Sequence, residues 1–350
     1  MTTHTAIRRL ADLTPMWLAA ALGTSEIADF TAERIGTGQL SESHRIAVRY
    51  AGHEPGGPGS VVLKVADDDE RSRRTGVALG LYEREVRFYA EIAPLLSGPV
   101  PECHHASFDR QTGTFCLLLG DAAPAQPGND IAGCSPAQAW AAVRALGRLH
   151  APALAHAGVT QTNWLNRPSP INAAMVRSLL PGFLERYEQR ITPEHQTVCE
   201  RLAEAFDAYA AATDALPKGL AHGDYRLDNL LFDLDDESHP VTVVDWQTVT
   251  VAPALTDLAY FLGCALRTED RRRLAPELVR AYHDELDGAL DYQQCVDGLR
   301  VQSYFGVMMA TISPMLVERT ERGDDMFMTV LARHAQQALD LDALDLLPRA

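Results

Sequence analysis

The stretch that decides the fold of this chain covers residues 221–246 and reads AHGDYRLDNLLFDLDDESHPVTVVDW. Two apolar runs within it, residues 230–234 and 241–244, are short enough for β-strands. The residues between them, 235–240, are polar and end in proline, as expected of a turn. The stretch therefore predicts a β-hairpin. If its strands pair antiparallel, the start of the first lies beside the end of the second.

Polar residues flank this predicted hairpin at a recognisable spacing. Four residues separate Asp224 from Asn229, and Asp245 follows the second strand. Protein-kinase catalytic loops have the same spacing: the Asp accepts the proton of the substrate hydroxyl, and the Asn and a later Asp hold magnesium on ATP. The alternative is a buried His222 with a helix-capping Asp and a turn Asn, a combination common in loops.

A kinase also needs a glycine-bearing turn whose backbone can approach phosphates. Gly36 and Gly38 supply such a turn before a strand-like segment, and Ser41 stands where a third glycine is usual. An ordinary hairpin turn is the alternative for this segment.

Lys64 lies inside a short β-branched run, residues 61–65, and is the candidate for the phosphate-binding lysine. Such a lysine is otherwise an edge-strand or solvent-facing residue. Apolar residues recur at helical spacing over residues 81–96, and Glu85 falls on their stripe. A buried carboxylate needs a partner, so we expect Glu85 to pair with Lys64. Pairing with a neighbouring arginine is the alternative.

With these residues the chain resembles the aminoglycoside phosphotransferase and choline kinase-like superfamily of small-molecule kinases. The motifs that carry the resemblance are HGDYRLDN at 222–229, DWQ at 245–247 and DLAYFL at 257–262, with support from Lys64 and from residues 85–89 and 146–150. The wording YRLDN looks like the kinase domain fused to certain acyl-CoA dehydrogenases, which acts on hydroxyacyl-CoA. The DWQ and DLAYFL motifs look like the ecdysteroid kinase-like group, where Asp-Phe-Gln is usual.

The resemblance implies an α+β, bilobal, protein-kinase-like fold. The expected boundaries are a small β-rich N-terminal nucleotide-binding lobe with a leading helix, residues 1–120, and a larger, mainly helical C-terminal lobe, residues 121–350. It also implies roles for individual residues. Asp224 is the expected catalytic base, Asn229 and Asp245 the expected magnesium ligands, and Lys64 the phosphate-binding lysine. Residues 117–121 look like the hinge strand, whose backbone, including Leu119 and Asp121, would meet the nucleotide base.

Three further side chains within the motifs at 222–229 and 257–262 have predicted roles. Arg226 stands where serine/threonine kinases carry a lysine that reaches the transferring phosphoryl group, so it could stabilise the same negative charge. Its alternative is an exposed arginine paired with Asp228 or another surface acid. We expect His222 and Asp257 to brace the catalytic loop rather than to carry protons.

Composition narrows the classes of partner. The net charge of −16 argues against nucleic acid or an anionic membrane as a partner.

The cysteines and the apolar segments indicate the cellular setting. The six cysteines show no paired spacing, which favours reduced thiols in the cytoplasm over a zinc site or disulfides. No segment is long enough to span a membrane. Thr14-Pro15 and Gly23 read as the start and stop of a helix rather than part of a signal peptide. Five methionines in residues 302–347 suggest core packing or an adaptable acceptor pocket.

Together these features predict a monomeric or homodimeric kinase that transfers the γ-phosphoryl group of ATP to a hydroxyl of a small molecule with Mg²⁺, with GTP as an alternative donor. Two rivals are a nucleotide-binding scaffold without transfer activity and an aminoglycoside O-phosphotransferase conferring resistance. Protein phosphorylation is disfavoured, because only eleven residues separate Asp245 from Asp257 and leave little room for an activation segment.

Overall fold

The computed structural model describes residues 6–24, 26–36, 40–52, 56–96, 98–155, 157–167 and 169–348. They fall into two compact units. The first comprises Met1–Leu96, Val100–Pro124 and Thr242–Val249, and the second comprises Ser97–Pro99, Ala125–Val241 and Thr250–Ala350. Residues 242–249 therefore belong to the same compact unit as the N-terminal part of the chain, although they are far from it in sequence.

The first unit is built on a five-stranded antiparallel sheet in the order β1-β2-β3-β5-β4. Its strands are β1 (Ile27–Ile35), β2 (Ser41–Tyr50), β3 (Ser60–Ala66), β4 (Cys103–Asp109) and β5 (Thr114–Gly120). Strand β3 lies between β2 and β5, and Val61, Leu63 and Val65 on it are fully buried. Lys64 therefore lies in the middle of the sheet, and the edge-strand alternative is wrong.

The described part of the first unit also contains a 3₁₀ helix, Leu10–Asp12, and the α-helices α1 (Pro15–Leu22), α2 (Glu70–Ala78) and α3 (Leu81–Arg87). Helix α1 begins and ends as predicted, because Thr14 Oγ1 accepts a hydrogen bond from the Trp17 amide at 3.2 Å and Gly23 is left-handed with φ 61°. Trp17 belongs to the apolar core that includes residues of β3 and β5. Helix α3 continues into a π-helical turn, Phe88–Ile92, and a 3₁₀ turn, Ala93–Leu95.

Helices make up most of the second unit. In chain order they are α4 (Pro136–Ala155), α5 (Ala157–Thr160), α6 (Ala173–Tyr187), α7 (Pro193–Glu204), α8 (Phe206–Asp214), α9 (Leu255–Ala265), α10 (Thr268–Asp284), α11 (Tyr292–Leu316) and α12 (Glu321–Asp340). Every residue of α9 is buried, and this helix packs against α4, α11 and α12. Met308 and Met328 are buried in this helical part, while Met309, Met315 and Met326 are half-buried.

Short strands accompany the helices: β6 (Gln126–Pro127), β7 (Lys218–Ala221), β8 (Leu230–Phe232), β9 (Val241–Val243) and β10 (Thr250–Pro253). Strands β8 and β9 form where the sequence predicts them, and the Asp233 amide donates to Pro240 O at 3.1 Å across the turn. A second antiparallel pair, β7 with β10, was not predicted from the sequence. The sequence of strand β7 does not predict a strand, because KGLA is short and lacks the β-branched residues that are frequent in strands.

The predicted fold class is confirmed: an antiparallel β-rich N-terminal part precedes a mainly helical remainder. All six cysteines are free thiols. Across the part of the chain that the structure describes, no helix combines the length and apolar character needed to cross a membrane.

Candidate active site

Lys64 forms the centre of an ion cluster in the first unit. Its ammonium donates to both carboxylate oxygens of Glu85, at 2.7 and 2.8 Å, and to Asp245 Oδ1 at 2.9 Å. Lys64 and Glu85 are buried, whereas the Asp245 side chain keeps 31% of its exposure. The structure thus brings together three residues that the sequence singled out, and Glu85 pairs with Lys64 rather than with an arginine.

The charges of this cluster do not balance, because one ammonium serves two carboxylates. Burial would lower the pKa of Lys64, but the charges of Asp245 and Glu85 outweigh burial and raise that pKa above its usual value. Burial raises the pKa of Glu85 to about 6, although the nearby ammonium opposes the shift. Lys64 therefore stays charged. The negative charge of Asp245 disfavours the ionised form of Glu85 and so adds to the rise in its pKa.

Packing holds Asp245 in an uncommon backbone conformation. Its φ of 67° and ψ of 62° lie in the left-handed region, which few residues other than glycine adopt. The next residue, Trp246, stacks on Phe88 with 3.9 Å between ring centroids, and its Nε1 donates to Val243 O at 3.1 Å. Gln247 Nε2 donates to Asp245 Oδ2 at 3.3 Å. The π-helical turn after α3 thus supplies the ring that anchors the segment carrying Asp245.

In the second unit, β7 is followed by the catalytic loop, residues 222–229, which carries the predicted base Asp224. Asp257 of α9 braces this loop. The fully buried Asp257 carboxylate accepts hydrogen bonds from the backbone amides of His222, at 2.6 Å, and Gly223, at 2.9 Å. It lies 3.3 Å from His150 Nε2. His222 Nδ1 in turn accepts from the Asp224 amide at 3.2 Å. His222 and Asp257 therefore hold the loop, as expected for bracing residues.

The Asp224 carboxylate is oriented by two side chains of its own loop. Arg226 Nε lies 3.0 and 3.1 Å from the two Asp224 oxygens, and Asn229 Nδ2 donates to Asp224 Oδ2 at 2.9 Å. The same Asn229 amide donates to the Asp224 carbonyl at 2.9 Å. Asp224 is thus fixed in one orientation, with its side chain 28% exposed.

Arg226 contacts three carboxylates rather than one. Beyond Asp224, its Nη1 donates to Asp130 Oδ2 at 2.5 Å and to Asp228 Oδ2 at 3.0 Å. Burial alone would lower the pKa of Arg226, but these carboxylates raise it. The alternative partner considered from the sequence, Asp228, is therefore present together with the candidate base. Asp130 was missed, because nothing in its local sequence distinguishes it from other loop acids.

The predicted glycine turn lies in the chain between the end of β1 at Ile35 and the start of β2 at Ser41. Gly36 is left-handed with φ 72°, and a Cβ placed there would meet no atom within 4 Å. Gly38 lies outside the described residues. Ser41 is the first residue of β2 and is buried opposite Ala66 of β3. A role for this turn in phosphate binding stays a prediction.

The predicted hinge strand is β5. Leu119 pairs with Val62 of β3 on one side and with Cys103 of β4 on the other. The carboxylate of Asp121 accepts hydrogen bonds from three residues: Arg45, through Nε at 2.8 Å and Nη2 at 3.3 Å, Ser60 Oγ at 2.8 Å and the Ala123 amide at 3.1 Å. In the structure Asp121 therefore braces β2 and β3, and contact of this segment with a nucleotide stays a prediction.

Asn229 of the second unit and Asp245 of the first unit each carry oxygen donors, and their joint binding of magnesium stays a prediction. Mg²⁺ prefers oxygen ligands and is usually held by one or two carboxylates together with substrate phosphates and water. Asp245 supplies a carboxylate, and Asn229 keeps an amide oxygen that makes none of the bonds described above. Within the described ranges, no three or more His, Cys, Asp or Glu side chains gather as a metal site.

The fold is that of the small-molecule kinases. Its β-rich part contains the buried lysine, and its helical part contains the catalytic loop. The family model of the ecdysteroid kinase-like family matches residues 36–295, and the chain belongs to this family. A search of curated proteins found no match.

Solved structures with the same fold include three phosphotransferases. The GDP complex of aminoglycoside 2'-phosphotransferase-IIIa has a TM-score of 0.58 at 12% identity, over 93% of this chain and 97% of that one. Choline kinase from Cryptosporidium parvum Iowa II has a TM-score of 0.52 at 11% identity, over 91% and 92%. A spectinomycin phosphotransferase bound to ADP and spectinomycin has a TM-score of 0.52 at 12% identity, over 95% and 99%. At these identities the similarity establishes the fold.

Proposed function

We propose that this protein is a kinase that transfers the γ-phosphoryl group of a nucleoside triphosphate to a hydroxyl group of a small molecule. The observation that carries the proposal is the buried Lys64 ammonium, held by Glu85 at 2.7 Å and by Asp245 at 2.9 Å. A buried lysine paired with a helical glutamate and placed beside a metal-binding aspartate is the donor-binding arrangement of kinases. Membership of a kinase-like family supports the same conclusion.

In this proposal Asp224 accepts the proton of the acceptor hydroxyl. Its carboxylate is already oriented by Arg226 and Asn229, so positioning requires little rearrangement when an acceptor binds. Lys64 binds donor phosphates while Glu85 fixes the direction of the ammonium. Magnesium, held by Asn229 and Asp245, would neutralise charge on the donor phosphates. Arg226 orients the base, because its charge is already shared among three carboxylates.

The donor is ATP or GTP. Among proteins of this fold, the aminoglycoside 2'-phosphotransferase-IIIa structure contains GDP and the spectinomycin phosphotransferase structure contains ADP. The acceptor is a small hydroxylated molecule, and the strongly acidic chain favours neither nucleic acid nor a membrane as partner. We propose a cytoplasmic location.

The test is a transfer assay with labelled ATP or GTP, Mg²⁺ and a panel of hydroxylated small molecules that includes aminoglycosides and hydroxyacyl-CoA, with products identified by mass spectrometry. We expect at least one acceptor to gain a phosphate. Asp224→Asn should lose the product while keeping the thermal shift given by magnesium and nucleotide, because Lys64 and the proposed magnesium ligands are still present and an amide oxygen can still accept from Asn229.

Two results would contradict the proposal. Stabilisation by nucleotide without turnover on any acceptor would favour the inactive scaffold. Transfer to a generic protein in place of every small molecule would favour protein phosphorylation. Full activity of Asp224→Asn would disprove the assignment of the base alone.

A further inference from the structure

A buried carboxylate outside the sequence motif, Asp130, lies against the catalytic loop. It belongs to the loop that follows β6, and its side chain is 1% exposed. Two residues earlier, Gly128 donates its amide to Leu227 O and Leu230 O at 3.1 Å each. A Cβ at Gly128 would lie 2.8 Å from Leu227 Cβ, so only glycine permits this approach. The Asp130 loop and the catalytic loop are therefore in direct backbone contact.

Both oxygens of the Asp130 carboxylate bind the catalytic loop. Oδ1 accepts from the Leu227 amide at 3.0 Å, and Oδ2 accepts from Arg226 Nη1 at 2.5 Å. The backbone of Asp130 is held from α12, where Arg333 Nη1 donates to Asp130 O and to Cys264 O at 2.6 Å each. Arg333 consequently ties the backbone of Asp130 to α12, and the same guanidinium nitrogen binds the backbone of α9 at Cys264.

The three acids around Arg226 differ in burial, and burial decides which of them holds the guanidinium. Side-chain exposure is 1% for Asp130, 28% for Asp224 and 34% for Asp228. Partly exposed pairs are screened by water and are weak, whereas a buried carboxylate left without its partner is strongly unfavourable. Burial raises the pKa of Asp130, and the charge of Arg226 opposes that shift. The guanidinium is thus anchored at Asp130 and presents Nε to Asp224.

We propose that Asp130 is a positioning residue that sets the orientation of Asp224 through Arg226. This role rests on the proposed function, in which Asp224 is the base. The carboxamide of Asp130→Asn can still accept from the Leu227 amide, but it no longer offers Arg226 a buried charge. Arg226 would then be held by two partly exposed acids, and Asp224 would lose its fixed orientation. We expect kcat to fall about 10- to 100-fold, the range for small misplacements of reacting groups.

The experiment measures kcat and the KM of donor and acceptor for wild type, Asp130→Asn, Arg226→Lys and the double variant, with unfolding followed in parallel. Arg226→Lys keeps a positive charge beside Asp130 and should fold, yet a single ammonium cannot replace the two separated guanidinium contacts. Asp340→Asn is the matched control, because the Asp340 carboxylate also pairs with arginine, here Arg271 and Arg272, with its nearest contact to each at 2.7 and 2.8 Å. We expect it to lower stability and leave kcat unchanged.

The positioning role predicts that Asp130→Asn lowers kcat with the donor KM unchanged, and that adding it to Arg226→Lys causes little further loss. An unchanged kcat in Asp130→Asn, an equal loss in Asp340→Asn, or losses that multiply in the double variant would each overturn the role. If Asp130→Asn does not fold, full kcat in Arg226→Lys overturns it. A wild type without transfer activity instead overturns the proposed function, and this role with it.

Discussion

Removing the charge of Lys64 should destabilise the first unit far more than removing the charge of Glu85. Lys64→Met leaves two carboxylates, Glu85 and Asp245, without the ammonium that now lies 2.7 and 2.9 Å away. Breaking a buried ion pair in this way costs about 3–5 kcal/mol. Glu85→Gln instead leaves one ammonium facing one carboxylate, which is a balanced pair.

The smaller effect of Glu85→Gln follows from its pKa. Burial raises that pKa from 4.5 to about 6, and 1.5 pKa units correspond to about 2 kcal/mol of cost for the ionised form at pH 7. Substitution by Gln removes this cost but weakens a hydrogen bond worth about 1 kcal/mol or more. The two contributions nearly cancel, so the free energy of unfolding should change by no more than about 1 kcal/mol.

The effect of pH has a defined sign. Between pH 6 and 4.5 the folded protein holds a proton on Glu85 that the unfolded chain does not, so this group adds stability as pH falls through that window. In Lys64→Met the ammonium no longer lowers the pKa of Glu85, and protonation relieves more of the repulsion. The deficit of Lys64→Met should therefore be largest near pH 7.5 and smaller at pH 5.

Urea unfolding of wild type, Lys64→Met, Glu85→Gln and the double variant at both pH values measures these differences. The double variant keeps only Asp245, which is partly exposed, and should recover much of the stability lost in Lys64→Met. Equal losses in the two single variants at pH 7.5 would refute the reasoning. A Lys64→Met deficit that is the same at pH 5 and 7.5 would refute it too.

Three further predictions concern single side chains. Asp257→Ala should lower the free energy of unfolding by about 3 kcal/mol and reduce kcat, because two backbone amides of the catalytic loop lose a buried charged acceptor. An unchanged kcat would argue against the bracing of this loop by Asp257. His334 is fully buried with no hydrogen-bond partner on either ring nitrogen among the described residues, and burial lowers its pKa from 6.5 to about 3. The unfolded chain takes up this proton at a higher pH than the folded protein does, so the contribution of His334 to the free energy of unfolding should fall by about 1.4 kcal/mol per pH unit below roughly pH 6.5. His334→Phe should remove that loss, and parallel pH profiles in urea unfolding would contradict the prediction. Asp245→Ala should abolish the magnesium-dependent part of the thermal shift given by ATP, and an unchanged shift would argue against this ligand.

Much of the candidate site could be predicted because its signals are local. The stripe around Glu85 follows from helical spacing, and the cap at Thr14 from one residue type before a proline. The catalytic loop could be predicted because only four residues separate Asp224 from Asn229, a spacing that the sequence displays directly. Its internal bonds, such as Asn229 to Asp224, span only five positions.

Contacts over long sequence separations could not be predicted in this way. Arg226 and Asp130 are 96 positions apart, and Lys64 and Asp245 are 181 apart. The pairing of β7 with β10 and the inclusion of residues 242–249 in the first unit belong to the same category. Local sequence marks Lys64, Arg226 and Asp245 as candidate site residues, but it does not show which distant residue each of them contacts.

The sequence by itself determined the residue types of the candidate site, the local elements that carry them and the class of fold, because periodicity, capping and motif spacing are properties of short segments. Only the tertiary structure decided how charge is shared: one lysine between Glu85 and Asp245, and one arginine among Asp130, Asp224 and Asp228. The physical reason is that an ion pair depends on the burial of both groups and the distance between them. Both quantities arise only when segments distant in the chain pack together.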